Sequence, residues 1–129
     1  MIAVDTNIVV RLLTGDEATQ FNKARKVFES HDIFIPHTVL LETEWVLRFA
    51  YSFKPTAINI ALTKLLGLPN VRVSQPEPVA KALAWHRQGL DFADALHLAA
   101  SQEQERFLTF DAKLARKAKG LSRCPVATP

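Results

Sequence analysis

Ile2-Ala3-Val4-Asp5 sets an apolar run against a carboxylate, and Phe107-Leu108-Thr109-Phe110-Asp111 repeats that arrangement near the other end of the chain. A short apolar run of this kind reads as a buried strand, so Asp5 and Asp111 are expected to close the ends of two strands. In open α/β sheets, ligands bind outside the carboxyl ends of parallel strands. Glu42 and Asp94 lie in helical stretches between the two runs. One pocket collecting Asp5, Glu42, Asp94 and Asp111 concentrates negative charge that a divalent cation relieves, and oxygen-only ligation suits Mg²⁺ or Mn²⁺. The expected chemistry is metal-dependent phosphoryl transfer.

Outward from these runs, short β-type segments alternate with helical ones. Strands are expected over 2–4, 33–35, 71–73, 107–109 and 125–127, and helices over 17–30, 38–51, 57–66, 78–88, 92–105 and 112–119. Such alternation argues for βαβ units, and brief, mostly apolar strands argue for a parallel sheet covered on both faces. Thr56, after Pro55, is the expected N-cap of its helix, Gly67 and Pro69 stop that helix before Val71, and Gly89 separates two others.

The chain of 129 residues fits one domain, residues 1–129, burying about two-thirds of the surface its unfolded form exposes. An apolar fraction of 48% is ordinary for a globular protein, and no run approaches the roughly 18 apolar residues of a membrane span. The amino terminus lacks the basic and apolar regions of a secretory signal, and Cys124 is the only cysteine, which excludes an intrachain disulfide. Both point to the cytoplasm and away from membranes. Net charge is +3. Lys113, Arg116, Lys117, Lys119 and Arg123 crowd the stretch after Asp111, and Lys23, Arg25 and Lys26 form a second group. Basic clusters beside a carboxylate cluster suit a polyanionic substrate, although a solvated helix face explains either cluster taken alone.

Two local choices decide which acids matter. At about 100° per residue, Glu42 falls among Val39, Trp45, Val46 and Phe49, inside an apolar arc where a carboxylate needs a partner. Glu44 points elsewhere and has Arg48 four residues on, the pattern of an exposed structural ion pair. Asp91 is placed to cap a helix starting at Phe92, with Asp94 in its first turn. Spacing alone leaves Asp94 either a cap residue or a ligand, and its association with three other acids favours the ligand. His97 lies one turn beyond Asp94, where a local hydrogen bond explains it as well as a substrate phosphate does. Trp45 and Trp85 are expected in the core or in an oligomer contact, and Cys124 as a small buried hydrophobe.

Together, Asp5-Thr6-Asn7, Leu41-Glu42-Thr43-Glu44-Trp45-Val46-Leu47, Asp91-Phe92-Ala93-Asp94-Ala95-Leu96 and Thr109-Phe110-Asp111 resemble the motifs of the PIN-domain ribonucleases, most closely the VapC-type toxins of toxin-antitoxin pairs. The likeness spans nearly the whole chain and rests on the order and spacing of motifs that are individually short. It implies a three-layer α/β/α sandwich with a short, mainly parallel sheet, a homodimer, and Mg²⁺- or Mn²⁺-dependent endonucleolytic cleavage of RNA, often a tRNA or rRNA loop. It implies Asp5, Glu42, Asp94 and Asp111 as metal ligands and catalytic acids, with Asn7, Thr109 and Asp91 supporting them. Lys113, Arg116 and Lys117 are the candidates for RNA contact. A small antitoxin is the implied protein partner, and DNA is reached only indirectly through it.

Two other readings compete. A receiver-like Mg²⁺-binding signalling domain needs an Asp after the third strand and a Lys near the last, and neither Val71-Arg72-Val73-Ser74 nor Pro125-Val126-Ala127 supplies one. A non-catalytic PIN-like module binding RNA or protein has no need of all four acids.

Overall fold

Helix starts and stops in this protein are largely written in its acids and glycines. The computed structural model describes all of residues 1–129. The order is β1 (Ile2–Ala3), α1 (Thr6–Thr14), α2 (Ala18–Ser30), β2 (Ile33–Phe34), α3 (His37–Phe49), α4 (Pro55–Leu66), β3 (Val71–Arg72), α5 (Pro76–Arg87), α6 (Phe92–Ala99), β4 (Phe107–Leu108), α7 (Ala112–Ala118) and β5 (Val126–Ala127). Asp5 caps α1 by accepting from Thr6 N, Glu17 caps α2 by accepting from Thr19 N and Gln20 N, Asp91 caps α6 and Asp111 caps α7. Each cap satisfies amide groups that the first turn of a helix leaves without partners, at a position where the helix dipole favours negative charge.

Contacts divide the chain into two compact units, Met1–Pro76 and Glu77–Pro129. The first holds a three-stranded parallel sheet in the order β1-β2-β3, with Ile2 opposite Ile33 and Ile33 opposite Val71. Ile33, Ile35, Leu40, Leu47, Ile58 and Leu62 are its fully buried residues of largest size. The second holds a parallel pair, β4 with β5, with Phe107 opposite Val126. Its core includes Val79, Trp85, Phe92, Leu98, Leu114 and Cys124, so Trp85 and Cys124 lie where their sequence context puts them.

All five expected strands form, each shorter than its apolar run. Helix α1 has no counterpart among the expected helices. Its β-branched content (Thr6, Ile8, Val9, Val10) disguises it, yet Asp5 and Gly15 bracket it as N-cap and left-handed C-cap, the latter at φ +63° with its N–H on Arg11 O. Thr56 is not the cap of α4: the helix begins at Pro55, the favoured first position for proline, and has no side-chain cap. Helix α6 ends at Ala99, six residues before the expected limit. There Ser101 Oγ donates to His97 O at 2.8 Å and Gln102 Nε2 to Leu98 O at 3.0 Å, so side chains take the carbonyls a continuing helix needs.

Helix α3 corrects the expected burial of its acids. It packs inward through Val39, Leu40, Thr43, Glu44 and Leu47, and this stripe leaves Glu42, Trp45 and Phe49 exposed on the far side. Glu44 is 3% exposed, against the surface position expected for it, and Arg48 donates to it from Nε at 2.9 Å and from the second guanidinium nitrogen at 3.1 Å. Trp45 is 55% exposed and therefore no core residue. The helix is apolar on two faces, and a periodicity argument cannot choose between them.

Candidate active site

In the first unit, Asp5, Thr6, Asn7, Val10, Arg11, Glu42, Val46, Ala50 and Tyr51 line an open pocket of about 400 Å³. Strand β1 and the cap of α1 bring Asp5 there, and the outward face of α3 brings Glu42. Asp5 Oδ1 accepts from Thr6 N at 2.7 Å, and the buried Thr6 hydroxyl donates to Glu42 Oε1. Thr6 thus ties both carboxylates, one through its amide and one through its side chain. Each keeps its second oxygen free of hydrogen bonds. Asn7 is exposed on the same wall.

The second unit organises its acids differently. Asp91 Oδ2 accepts from Asp94 N at 3.2 Å, the cap expected from the sequence. The Asp94 carboxyl itself makes no hydrogen bond. It is held above the ordinary carboxylate range first by burial, then by the negative charges of Asp91 and Asp111, with His97 partly offsetting them. Asp111 Oδ1 accepts from Lys113 N at 2.9 Å and from Leu114 N at 3.1 Å, and Thr109 Oγ1 accepts from Asp111 N at 3.0 Å. Thr109 therefore orients the turn that presents Asp111.

Within neither unit do three Asp, Glu, His or Cys side chains gather into a ready-made metal site. The donor chemistry nonetheless fits a hard divalent cation. Asp5, Glu42 and Asp111 are each oriented through one oxygen and leave the other for ligation, and Asp94 leaves both. Burial raises the Asp94 carboxyl, and the charges of Asp91 and Asp111 add to it, a situation that a bound cation relieves. Of the basic candidates, Lys113 and Arg116 are exposed, whereas Lys117 Nζ donates to Gly89 O at 2.9 Å and so also serves the structure.

Three contributors escape sequence reasoning. Thr6 meets Glu42 across 36 residues, Arg11 and Tyr51 meet across 40, and no local pattern announces either contact.

The PIN-domain family model matches residues 2–120. The chain belongs to the PIN-domain family. With that membership comes the α/β class of the PIN fold, the three-layer α/β/α type expected from the motifs. Among solved structures, the chain is similar to the crystal structure of Mycobacterium tuberculosis VapC20, described as a sarcin-ricin loop cleaving toxin. The identity is 21% and the TM-score 0.46, over 97% of this chain and 99% of that one. Comparison with curated proteins gives no significant match. No helix of this PIN domain is long and apolar enough to cross a membrane.

Proposed function

We propose that this PIN-domain protein is a metal-dependent endoribonuclease and the toxin of a type II toxin-antitoxin pair, with Asp5, Glu42, Asp94 and Asp111 as ligands for Mg²⁺ or Mn²⁺. The observation that carries this reading is the state of the carboxylates: three are fixed through one oxygen with the other left open, and the fourth is partly buried beside two other acids. A divalent cation supplies water activation and charge neutralisation at phosphorus when bound there. Thr6 holds Glu42 and Asp5 in place, Thr109 and the amides of α7 hold Asp111, and Asp91 fixes the first turn that carries Asp94. Asn7 stands beside Asp5 as a further polar group, and Lys113 and Arg116, with Lys117, supply positive charge for the RNA backbone.

On this reading residues 1–129 act as one nuclease domain in the cytoplasm, as a homodimer, cutting an RNA loop such as those of tRNA or rRNA. A small antitoxin restrains it, and DNA is met only through that partner. An antitoxin arginine is the expected plug for the acidic pocket, since a guanidinium offers paired donors to carboxylates and substitutes for the metal's charge.

Purified protein incubated with total RNA is expected to cut it in Mg²⁺ or Mn²⁺ and to stop in excess EDTA, with no need for Zn²⁺. Full cleavage in EDTA overturns the metal reading. Co-expression with the adjacent small reading frame is expected to suppress toxicity and to yield a complex. A non-toxic nuclease with no small partner removes the toxin reading and leaves the nuclease.

A further inference from the structure

The wall of the Asp5–Glu42 pocket also carries a cation whose orientation is fixed. Arg11, on α1, lines the pocket together with Tyr51, which follows α3. Its Nε donates to Gln20 Oε1 at 2.7 Å, and one terminal nitrogen, NH1, donates to the Tyr51 hydroxyl at 2.9 Å and to Asp16 Oδ1 at 3.3 Å. Tyr51 in turn donates to Asp16 Oδ2 at 2.6 Å, and Thr14 Oγ1 donates to Asp16 Oδ1 at 2.8 Å. The hydrogen bond from Tyr51, followed by that from Thr14, holds the Asp16 carboxyl below the ordinary carboxylate range, and the Arg11 charge adds to the effect.

Two of the three guanidinium nitrogens are gripped, and the third, NH2, makes no hydrogen bond. An exposed Arg–Asp pair contributes little to stability and needs no such set of supports. A guanidinium plane locked at a pocket wall with one edge left open is suited to an oxyanion, because its donors lie in a fixed fork. Asp5 and Glu42 on the same pocket repel a polyanion unless positive charge accompanies them.

We propose that Arg11 is a substrate-positioning residue that binds a phosphate of the RNA strand flanking the one that is cut, through the free NH2 edge held ready by Gln20, Tyr51 and Asp16. This assignment rests on the nuclease reading above. The competing role is a latch that ties α1 to α2 and to the segment after α3, with no RNA contact.

Salt dependence separates the two roles. Binding of a short fluorescein-labelled single-stranded RNA of mixed sequence, with Ca²⁺ replacing Mg²⁺, is measured between about 50 and 200 mM salt for wild type, Arg11→Gln, Arg11→Lys and Asp16→Asn. Loss of one phosphate contact is expected to weaken binding about tenfold in Arg11→Gln and to lower the slope of log affinity against log salt by about 0.7. Arg11→Lys keeps the charge without the fork, so it is expected to bind more weakly with the full slope. Asp16→Asn loosens the latch but keeps the cation, and it too is expected to retain the slope. An unchanged slope in Arg11→Gln, in protein that still cuts RNA in Mg²⁺, overturns the assignment alone. So does an equal loss of slope in Asp16→Asn. A wild-type protein that neither binds nor cuts RNA overturns this assignment and the nuclease reading together.

Discussion

The two units support their acids in different ways. In Met1–Pro76, a threonine binds both Asp5 and Glu42, and a cation, Arg11, sits on the pocket wall. In Glu77–Pro129, burial first, and then the charges of Asp91 and Asp111, raise the Asp94 carboxyl, and Asp94 has no side-chain hydrogen bond to compensate. The first arrangement is preorganised by hydrogen bonds. The second leaves a carboxylate disfavoured by burial and by neighbouring acids until a cation arrives or a proton is taken up. A metal-dependent enzyme gains from both, since fixed ligands set geometry and repelling ligands raise affinity for the metal over the empty state.

The contrast is most exposed at Thr6. Thr6→Val removes the hydroxyl that holds Glu42 while keeping the volume, and it is expected to lower metal affinity or RNA cleavage about 10- to 100-fold, the range for lost support of a ligand. Isothermal titration with Mn²⁺ alongside a cleavage assay checks this. An unaffected Thr6→Val variant shows that the hydrogen bond does not matter to the site.

Glu44 provides a control that touches stability and not the pocket. Because it is buried against Arg48, Glu44→Gln is expected to cost about 1–2 kcal/mol in chemical denaturation and to leave cleavage by the folded fraction unchanged. That cost exceeds the few tenths of a kcal/mol of the exposed pair the sequence suggests. A cost at the lower figure indicates that water reaches the pair.

The smallest effect belongs to Asp94 without metal. Its folded pKa is raised, so the folded state binds the proton more tightly than the unfolded chain does. The carboxylate therefore costs stability, and the cost grows as pH rises through the folded pKa and then stays constant. Asp94→Asn is expected to raise metal-free stability at pH 7 by at most about 1 kcal/mol, discounted because the group is only partly buried. The gain should vanish below pH ~3, where Asp94 is protonated in both states. Melting curves in EDTA across pH measure it. A loss of stability at neutral pH indicates that Asp94 serves mainly as a helix-start residue.

Much of the fold was legible because its signals are local. Apolar runs end at polar residues and Asp91 marks a helix start, so the strands and the starts of α6 and α7 fall where expected. Helix α1 was missed because propensity spoke against it while its caps spoke for it, and the caps proved the stronger signal. The motif acids were readable through their order along the chain. The exposures of Glu42 and Glu44 were not, because α3 carries two apolar faces and only packing decides which is buried. Of the two roles expected for Trp45, the core one falls for the same reason, since the residue is exposed. The supports of the site, Thr6 to Glu42 and Arg11 to Tyr51, depend on long-range approach and leave no periodic trace.

The proposed function needs acids of both units in one metal-dependent reaction. Its most direct test is Mg²⁺-dependent cleavage of a sensitive RNA by wild type, Asp5→Asn and Asp94→Asn, each verified as folded. Both variants are expected to lose cleavage by about a thousandfold or more, because each replaces a charged ligand with a neutral amide. An Asp94→Asn variant that cuts RNA at the wild-type rate contradicts the ligand role, since Asp91 supplies the cap of α6 and the amide keeps the size of the side chain.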